Sequence, residues 1–316
     1  MAMSIMRRVL LAGSHSPWLE RQVRSRAITR QAVRRFMPGE ELSDALDAGS
    51  ALAQRGMGVV LTQLGEHTDS PTQADAVRDH YQSVLRDIAA RGLPAAISVK
   101  LTQLGLVLGD PTSDDACVER VLALARPAPA RGERVWIDME ESPLTERTLR
   151  VYERVHAAGG RVGLCLQAYL RRTAADLERL RPLRPAVRLV KGAYREPPDV
   201  AFPAKRDVDA NYRTLGMRLI EMAARGEAEP PVFGTHDVAL ARALLAHASA
   251  QGLAPTACEI HMLYGIRGAE QARLAAEGVR VRVLVSYGRA WFAWYMRRLA
   301  ERPANVWFAI RGVAGG

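Results

Sequence analysis

Cysteine is scarce: only Cys117, Cys165 and Cys258 occur in 316 residues, at wide spacings. That pattern gives neither a disulfide framework nor a metal-ligand set, and it argues for a reducing, cytoplasmic compartment. Long apolar runs are missing as well. Although 48% of the chain is hydrophobic, no run approaches the roughly 20 residues of a membrane span. No Gly-x-Gly-x-x-Gly follows an early strand and no Walker-type loop occurs, so the doubly wound nucleotide folds have no fingerprint. Ser286 and the other serines lack a nucleophile elbow, which disfavours a hydrolase. His236 and His261 are the histidines near strand ends, too few for a catalytic zinc site, so no metal is expected. The net charge of +10 comes without a basic block, a recognition motif or an aromatic stacking platform. Its arginines alternate with acids along helical patterns, which reads as a solvated surface and not as a nucleic-acid interface. The same charge is compatible with peripheral contact with anionic lipid at the inner face of a membrane.

Lysine is the most informative scarcity. Among 44 basic residues the lysines are Lys100, Lys191 and Lys205, and two of these close apolar, strand-like runs. A chain that otherwise uses arginine has placed a compact ammonium there. The plainer reading is a lysine snorkelling at a strand end. In Val187–Glu196, reading VRLVKGAYRE, a β-branched strand stops at Lys191 and Gly192. A cation and an unhindered backbone then stand at a strand's C-terminal end, where a barrel of alternating strands and helices carries its chemistry.

Eight short apolar runs are present: Gly58–Leu61, Ala95–Val99, Val135–Ile137, Val162–Leu166, Val187–Val190, Val232–Phe233, Ala257–Ile260 and Val279–Val285. Between them lie amphipathic stretches such as Ala74–Ala90, Asp115–Ala125, Glu146–Ala158, Ala174–Leu180, Asp209–Arg225, Val238–Ala250, Gly268–Ala276 and Trp291–Arg302, with Ser113 and Thr145 as expected N-caps. This repetition predicts an α/β fold of the (βα)8 TIM-barrel type. The first 35 residues are rich in arginine and poor in acids, as transit peptides are. Ser16 with Pro17, and the apolar and arginine periodicity up to Phe36, favour a helical extension that breaks at Pro38. The expected organisation is an N-terminal helical extension over 1–53 and a catalytic barrel over 54–316.

In such a barrel the strand ends converge on one mouth. Here they are Lys100, Asp138 with Glu140 and Glu141, Gln167, Lys191 with Gly192, Thr235 with His236 and Asp237, and Met262 with Leu263. Backbone amides at the helix starting near Asp237 suit an anion such as a pyrophosphate. Capping of that helix by Thr235 or Asp237 explains the same residues equally well. On the last helix, Arg297 and Arg298 precede Glu301 at a spacing that lets the carboxylate fix both guanidinium groups, an arrangement suited to a small carboxylate. A surface Arg-Arg-Glu cluster is the alternative. The mouth is polar but holds no obvious covalent catalyst, a gap that a cofactor would fill.

Taken together, QLGEH (Gln63–His67), SVKLTQLG (Ser98–Gly105), IDMEES (Ile137–Ser142), QAYLRRT (Gln167–Thr173), VRLVKGAYRE, THD (Thr235–Asp237), MLYGIR (Met262–Arg267) and RRLAERPAN (Arg297–Asn305) resemble the proline dehydrogenase family. These are flavin-dependent (βα)8 enzymes that oxidise proline to pyrroline-5-carboxylate. The motifs occur in family order over about residues 54 to 308. The resemblance implies FAD held by Gln167, Arg188, Val190, Lys191, Gly192, Thr235 and His236. It implies a substrate carboxylate on Lys100, Arg297 and Arg298, with Asp138 and Glu301 orienting those cations and Tyr194 and Leu263 packing on the substrate ring. Electrons would pass to a quinone or another carrier.

Three apolar positions depart from the family pattern. Leu284 and Trp294 stand where tyrosines are usual, and Ser286 stands where proline is common. His261 replaces a glutamine, close to where the flavin is expected, which adds it to the cofactor-binding set. The charged anchors are kept while the lining differs, so a different small carboxylate-bearing amine, such as an N-substituted glycine or a hydrazine analogue, is the alternative substrate. A flavin-free, anion-binding barrel is the reading from another class.

Overall fold

The computed structural model describes residues 33–65, 67–108, 114–126, 133–254, 256–292 and 295–296. Eight parallel strands close into a barrel in chain order: β1 (Gly58–Gln63), β2 (Ala95–Val99), β3 (Val135–Ile137), β4 (Val162–Gln167), β5 (Val187–Val190), β6 (Val232–Gly234), β7 (Glu259–Leu263) and β8 (Arg280–Tyr287). The sheet closes through β1 and β8, which pair in register from Gly58 opposite Arg282 to Gln63 opposite Tyr287. Helix α1 (Leu42–Ala53) precedes the barrel, and α2 (Pro71–Ala90), α3 (Asp115–Ala125), α4 (Thr145–Ala157), α5 (Thr173–Leu180), α6 (Lys205–Ala224), α7 (Val238–Ala250) and α8 (Gly268–Ala276) follow β1 to β7 in turn. The predicted (βα)8 architecture is therefore the observed one.

Strand alternation sorts side chains into two compartments. One face of each strand packs under the helices in a continuous core that includes Val59, Leu61, Ile97, Val99, Ile137, Leu164 and Leu189. The other faces the lumen, where Val60, Ala96, Trp136 and Val232 cluster, with Leu284 packed against them. A third cluster sits at one rim: Val33, Phe36 and Met37 pack with Leu64, Ile266, Trp291, Phe292, Tyr295 and Met296. Gly265 makes that contact feasible. Its φ is +73°, and a Cβ there would come within 1.6 Å of the Arg35 carbonyl oxygen.

Element boundaries differ from expectation in an instructive way. β1, β4, β6 and β8 run past their apolar runs to Gln63, Gln167, Gly234 and Tyr287, and β7 is shifted to Glu259–Leu263. An apolar-run criterion fails at these ends because the lumen face there is polar. Helix α2 starts early, at Pro71, because Ser70 accepts a hydrogen bond from the Gln73 amide and Pro71 needs no donor. Thr145 is not an N-cap: a 3-10 turn over Ser142–Leu144 precedes it, Leu144 takes the cap position, and Thr145 is the buried first helical residue. Pro143 explains the turn, since it favours a helical start but removes a donor. Asp114, with φ +50°, stands at the α3 cap, and Ser113 lies outside the described residues. So do residues 1–32 of the expected helical extension, with Ser16 and Pro17 among them, and all but four residues of Trp291–Arg302.

Candidate active site

A cavity of about 670 Å³ opens where the strands end. Most of the candidates among the described residues line it: Lys100, Asp138, Gln167, Arg188, Val190, Lys191, Gly192, Tyr194, Thr235, His236, His261 and Leu263. Strand geometry brings them together, because each is a lumen-facing or terminal residue of one of six strands, or lies within four residues of a strand's end. Arg297, Arg298, Glu301 and Trp294 lie outside the described residues. Glu140, in contrast, turns away from the cavity. It is 4% exposed and accepts hydrogen bonds from the Thr102 amide at 3.1 Å and the Thr102 hydroxyl at 2.6 Å. Burial raises its carboxyl above the usual range, against the pull of those bonds.

Arg188 is the central cation. It is 3% exposed, donates to Ser98 Oγ at 2.9 Å, pairs with Asp138, and lies over the Trp136 ring with its guanidinium carbon 5.1 Å from the centroid. Ser98 Oγ also donates to Asp138 at 2.8 Å. The described partner of Asp138 is thus Arg188, not Lys100. The Lys100 ammonium donates to the Gly65 carbonyl at 3.0 Å, holding the loop after β1 across the mouth. Sequence reasoning passed over Ser98, Trp136, Thr62 and Cys165. The signal was their alternation with the buried outer-face residues, which places them in the lumen.

Lys191 pairs with Asp209 of α6 and lies 3.9 Å from Asp237, while Lys205, also lining the cavity, reaches the other oxygen of Asp209. Burial works against ionisation of Asp209, but hydrogen bonds from both lysines hold its carboxyl below the usual range. Asp237 caps α7, accepting from the Leu240 amide at 3.1 Å, and its own amide donates to Thr235 Oγ1 at 3.1 Å. The capping role is therefore realised, and it leaves the first amides of α7 at the cavity end of the helix. His236 Nε2 accepts from the Leu263 amide at 3.0 Å, so this nitrogen carries no proton.

Several buried polar atoms at the site have no hydrogen-bond partner among the described residues: Gln167 Oε1, Arg188 Nη1 and His261 Nδ1. Buried polar groups are otherwise satisfied as a rule, so an acceptor, a donor and a ring nitrogen on one cavity describe a ligand with complementary polar edges. Gly192 keeps the adjoining wall thin, with φ +114° and a position where a Cβ would fall 2.2 Å from the Tyr169 ring. No group of three or more His, Cys, Asp or Glu side chains that could hold a metal occurs among the described residues.

Comparison with known proteins agrees with this geometry. The family model for proline dehydrogenase matches residues 45–311. Proline dehydrogenase 1 of Bacillus subtilis (strain 168) is 35% identical over 288 residues, covering 90% of this chain and 91% of that protein. Proline dehydrogenase of Deinococcus radiodurans is 34% identical over 312 residues, covering 98% of each. Among solved structures, proline utilization A from Bdellovibrio bacteriovorus, inactivated by N-propargylglycine, superimposes with a TM-score of 0.79 at 25% identity over 86% of this chain. The chain spans 33% of that larger protein's length. A family model over most of the residues and relatives matched along nearly their whole length have one meaning: the chain belongs to the proline dehydrogenase family.

Proposed function

We propose that this protein oxidises L-proline to 1-pyrroline-5-carboxylate, with FAD in the cavity and a quinone or another carrier as the final electron acceptor. The observation that carries the reading is the unpartnered set of Gln167 Oε1 and Arg188 Nη1, buried in the same cavity as Lys100, Lys191 and Thr235. These residues fit a flavin: a donor and an acceptor face polar ring edges, while Lys191, Lys205 and the start of α7 suit a diphosphate. FAD, when bound, supplies the acceptor for the hydride. Gln167, Arg188, Val190, Lys191, Gly192, Thr235 and His236 hold it.

Lys100 grips the substrate carboxylate together with Arg297 and Arg298, which Glu301 steadies, and Tyr194 and Leu263 pack on the apolar ring. This positioning brings the carbon next to the amine to the reacting edge. The amine must be neutral when hydride leaves, because a protonated nitrogen has no lone pair to form the imine. Cations around the site favour that neutral form. Among the described residues no helix is long and apolar enough to cross a membrane. Peripheral contact of this cytoplasmic, basic chain with anionic lipid belongs to the same proposal.

The test is to purify the protein, load it with FAD and measure dye reduction with proline. The expected result is a flavin absorption band and proline-dependent turnover. Absence of both overturns the reading and favours a flavin-free binding protein. Leu284 and Ser286 both line the cavity, which favours a second reading in which another small carboxylate-bearing amine is the substrate. A panel of N-substituted glycines and hydrazines decides, since turnover of proline alone removes that reading.

A further inference from the structure

The lumen beneath the cavity is charged as well as apolar. Glu259 and His261 share the inner face of β7, two residues apart. His261 meets the edge of Trp136 with centroids 5.7 Å apart. β3 and β7 lie on opposite sides of the closed sheet, so the two rings can meet only through the lumen. The His261 side chain is 3% exposed, and its Nε2 lies 3.1 Å from Glu259 Oε2. Its Nδ1 has no hydrogen-bond partner among the described residues, and the residue lines the cavity. Glu259 is held in turn by Arg280 and by Arg282 at 2.9 Å, and Arg282 by Glu133 at 2.9 Å.

This chain of charges dictates which nitrogen carries the imidazole proton. Burial opposes ionisation of Glu259, yet the hydrogen bond from His261 and the guanidinium groups of Arg282 and Arg280 hold its carboxyl at about 2. An ionised carboxylate only accepts hydrogen bonds. Burial, with Arg188 and Arg282 nearby, lowers His261 to about 4 despite Glu259, so the ring is neutral near pH 7. A neutral imidazole against an acceptor-only partner donates from Nε2 and leaves a bare lone pair on Nδ1. On the cavity, Gln167 Oε1 and His261 Nδ1 are thus acceptors and Arg188 Nη1 a donor, each with its polarity fixed.

We infer that the Glu259–His261 pair is a tautomer lock, in which Glu259 is a positioning residue and His261 presents a fixed Nδ1 acceptor to a ring N–H of the bound flavin. The inference rests on the flavin reading above. An oxidised flavin ring has a single ring N–H, whereas the reduced ring has more. An acceptor that cannot become a donor therefore holds the one N–H that the oxidised ring carries and the reduced ring keeps, and it acts on cofactor affinity in both states. His261 also reads the cofactor's polarity independently of Arg188 Nη1, which can only donate.

The lock is tested first without any substitution, by nitrogen-15 NMR of the histidine-labelled full chain at neutral pH. The expected spectrum shows His261 with a protonated Nε2 and a bare Nδ1, and the Nδ1 signal shifts when FAD is added. A protonated Nδ1 overturns the inference. Next, FAD affinity and midpoint potential are compared in the wild type, His261→Leu, His261→Gln and Glu259→Gln. Loss of one net hydrogen bond predicts about fivefold to tenfold weaker FAD binding in His261→Leu, with the midpoint potential little changed. His261→Gln, whose amide oxygen restores an acceptor, recovers most of that affinity, which a purely structural role would not produce. Glu259→Gln, able to donate as well as accept, gives a mixture of tautomers and an intermediate loss. A wild type that binds no FAD sinks the flavin reading and this inference together. A wild type that binds FAD, beside a His261→Leu variant of equal affinity, sinks the inference alone.

Discussion

Gly192 follows Lys191 at the tip of β5 with its backbone at φ +114°, against the face of Tyr169. Only glycine takes that conformation without strain, and here a side chain also has no space. Gly192→Ala should cost about 1–3 kcal/mol of stability, read from denaturant midpoints, and should weaken FAD binding by displacing the strand tip. An unchanged midpoint would show that the turn is not constrained. Arg298 lies outside the described residues, and its role rests on family resemblance. Arg298→Lys should raise KM for proline roughly tenfold or more while leaving bound FAD in place, because one ammonium cannot replace a bidentate fork. Unchanged kinetics would remove Arg298 from the substrate site. The charged anchors were legible as residues, since Lys100 and Lys191 stand out in an arginine-rich chain. Their partners were not. The pairing of Asp138 with Arg188 is a relation between β3 and β5 that no local pattern contains.

At the level of elements, periodicity identified each strand and gave β2, β3 and β5 in full, but stopped short of the tips of β1, β4, β6, β7 and β8. The reason is physical: strand ends at the cavity present polar side chains inward, or none at Gly234, so Gln167, Gly234 and His261 interrupt the apolar signal at the positions that matter most for chemistry. Helix starts follow cap chemistry more closely than apolar spacing. Ser70→Ala should therefore cost about 1 kcal/mol through loss of the α2 cap, lowering Tm by a few degrees with kcat unchanged. A loss of activity without a loss of stability would point to some other role for Ser70. The rim cluster shows the converse. Phe36, Trp291 and Tyr295 come from the two ends of the described chain, and their packing over Ile266 follows from barrel closure.

For the whole molecule, the charged lumen couples stability to pH. His261 ionises at about 4 in the folded protein against an ordinary 6.5, because burial penalises its charged form. Between those values the unfolded chain binds a proton that the folded one refuses, so stability is complete above about pH 6.5 and falls as the pH drops toward 4. Glu259, depressed to about 2, adds a further loss below its ordinary 4.5. The expected drop for His261 between pH 6.5 and 4.5 is roughly 2–3 kcal/mol. Urea denaturation of the wild type and His261→Gln at pH 7 and 4.5 checks it. The variant should lose less on acidification, and equal losses would remove His261 as the cause.

By itself the sequence determined the alternation of eight strands with helices, the family, and the residue types at the mouth, because periodicity, cap chemistry and short motifs are local properties of the chain. The tertiary structure alone decided which of those side chains pair, which polar atoms are left without partners, and which imidazole nitrogen faces the cavity. Each of these depends on distances across a closed lumen, between residues that sit far apart in the chain and meet only when β8 pairs with β1.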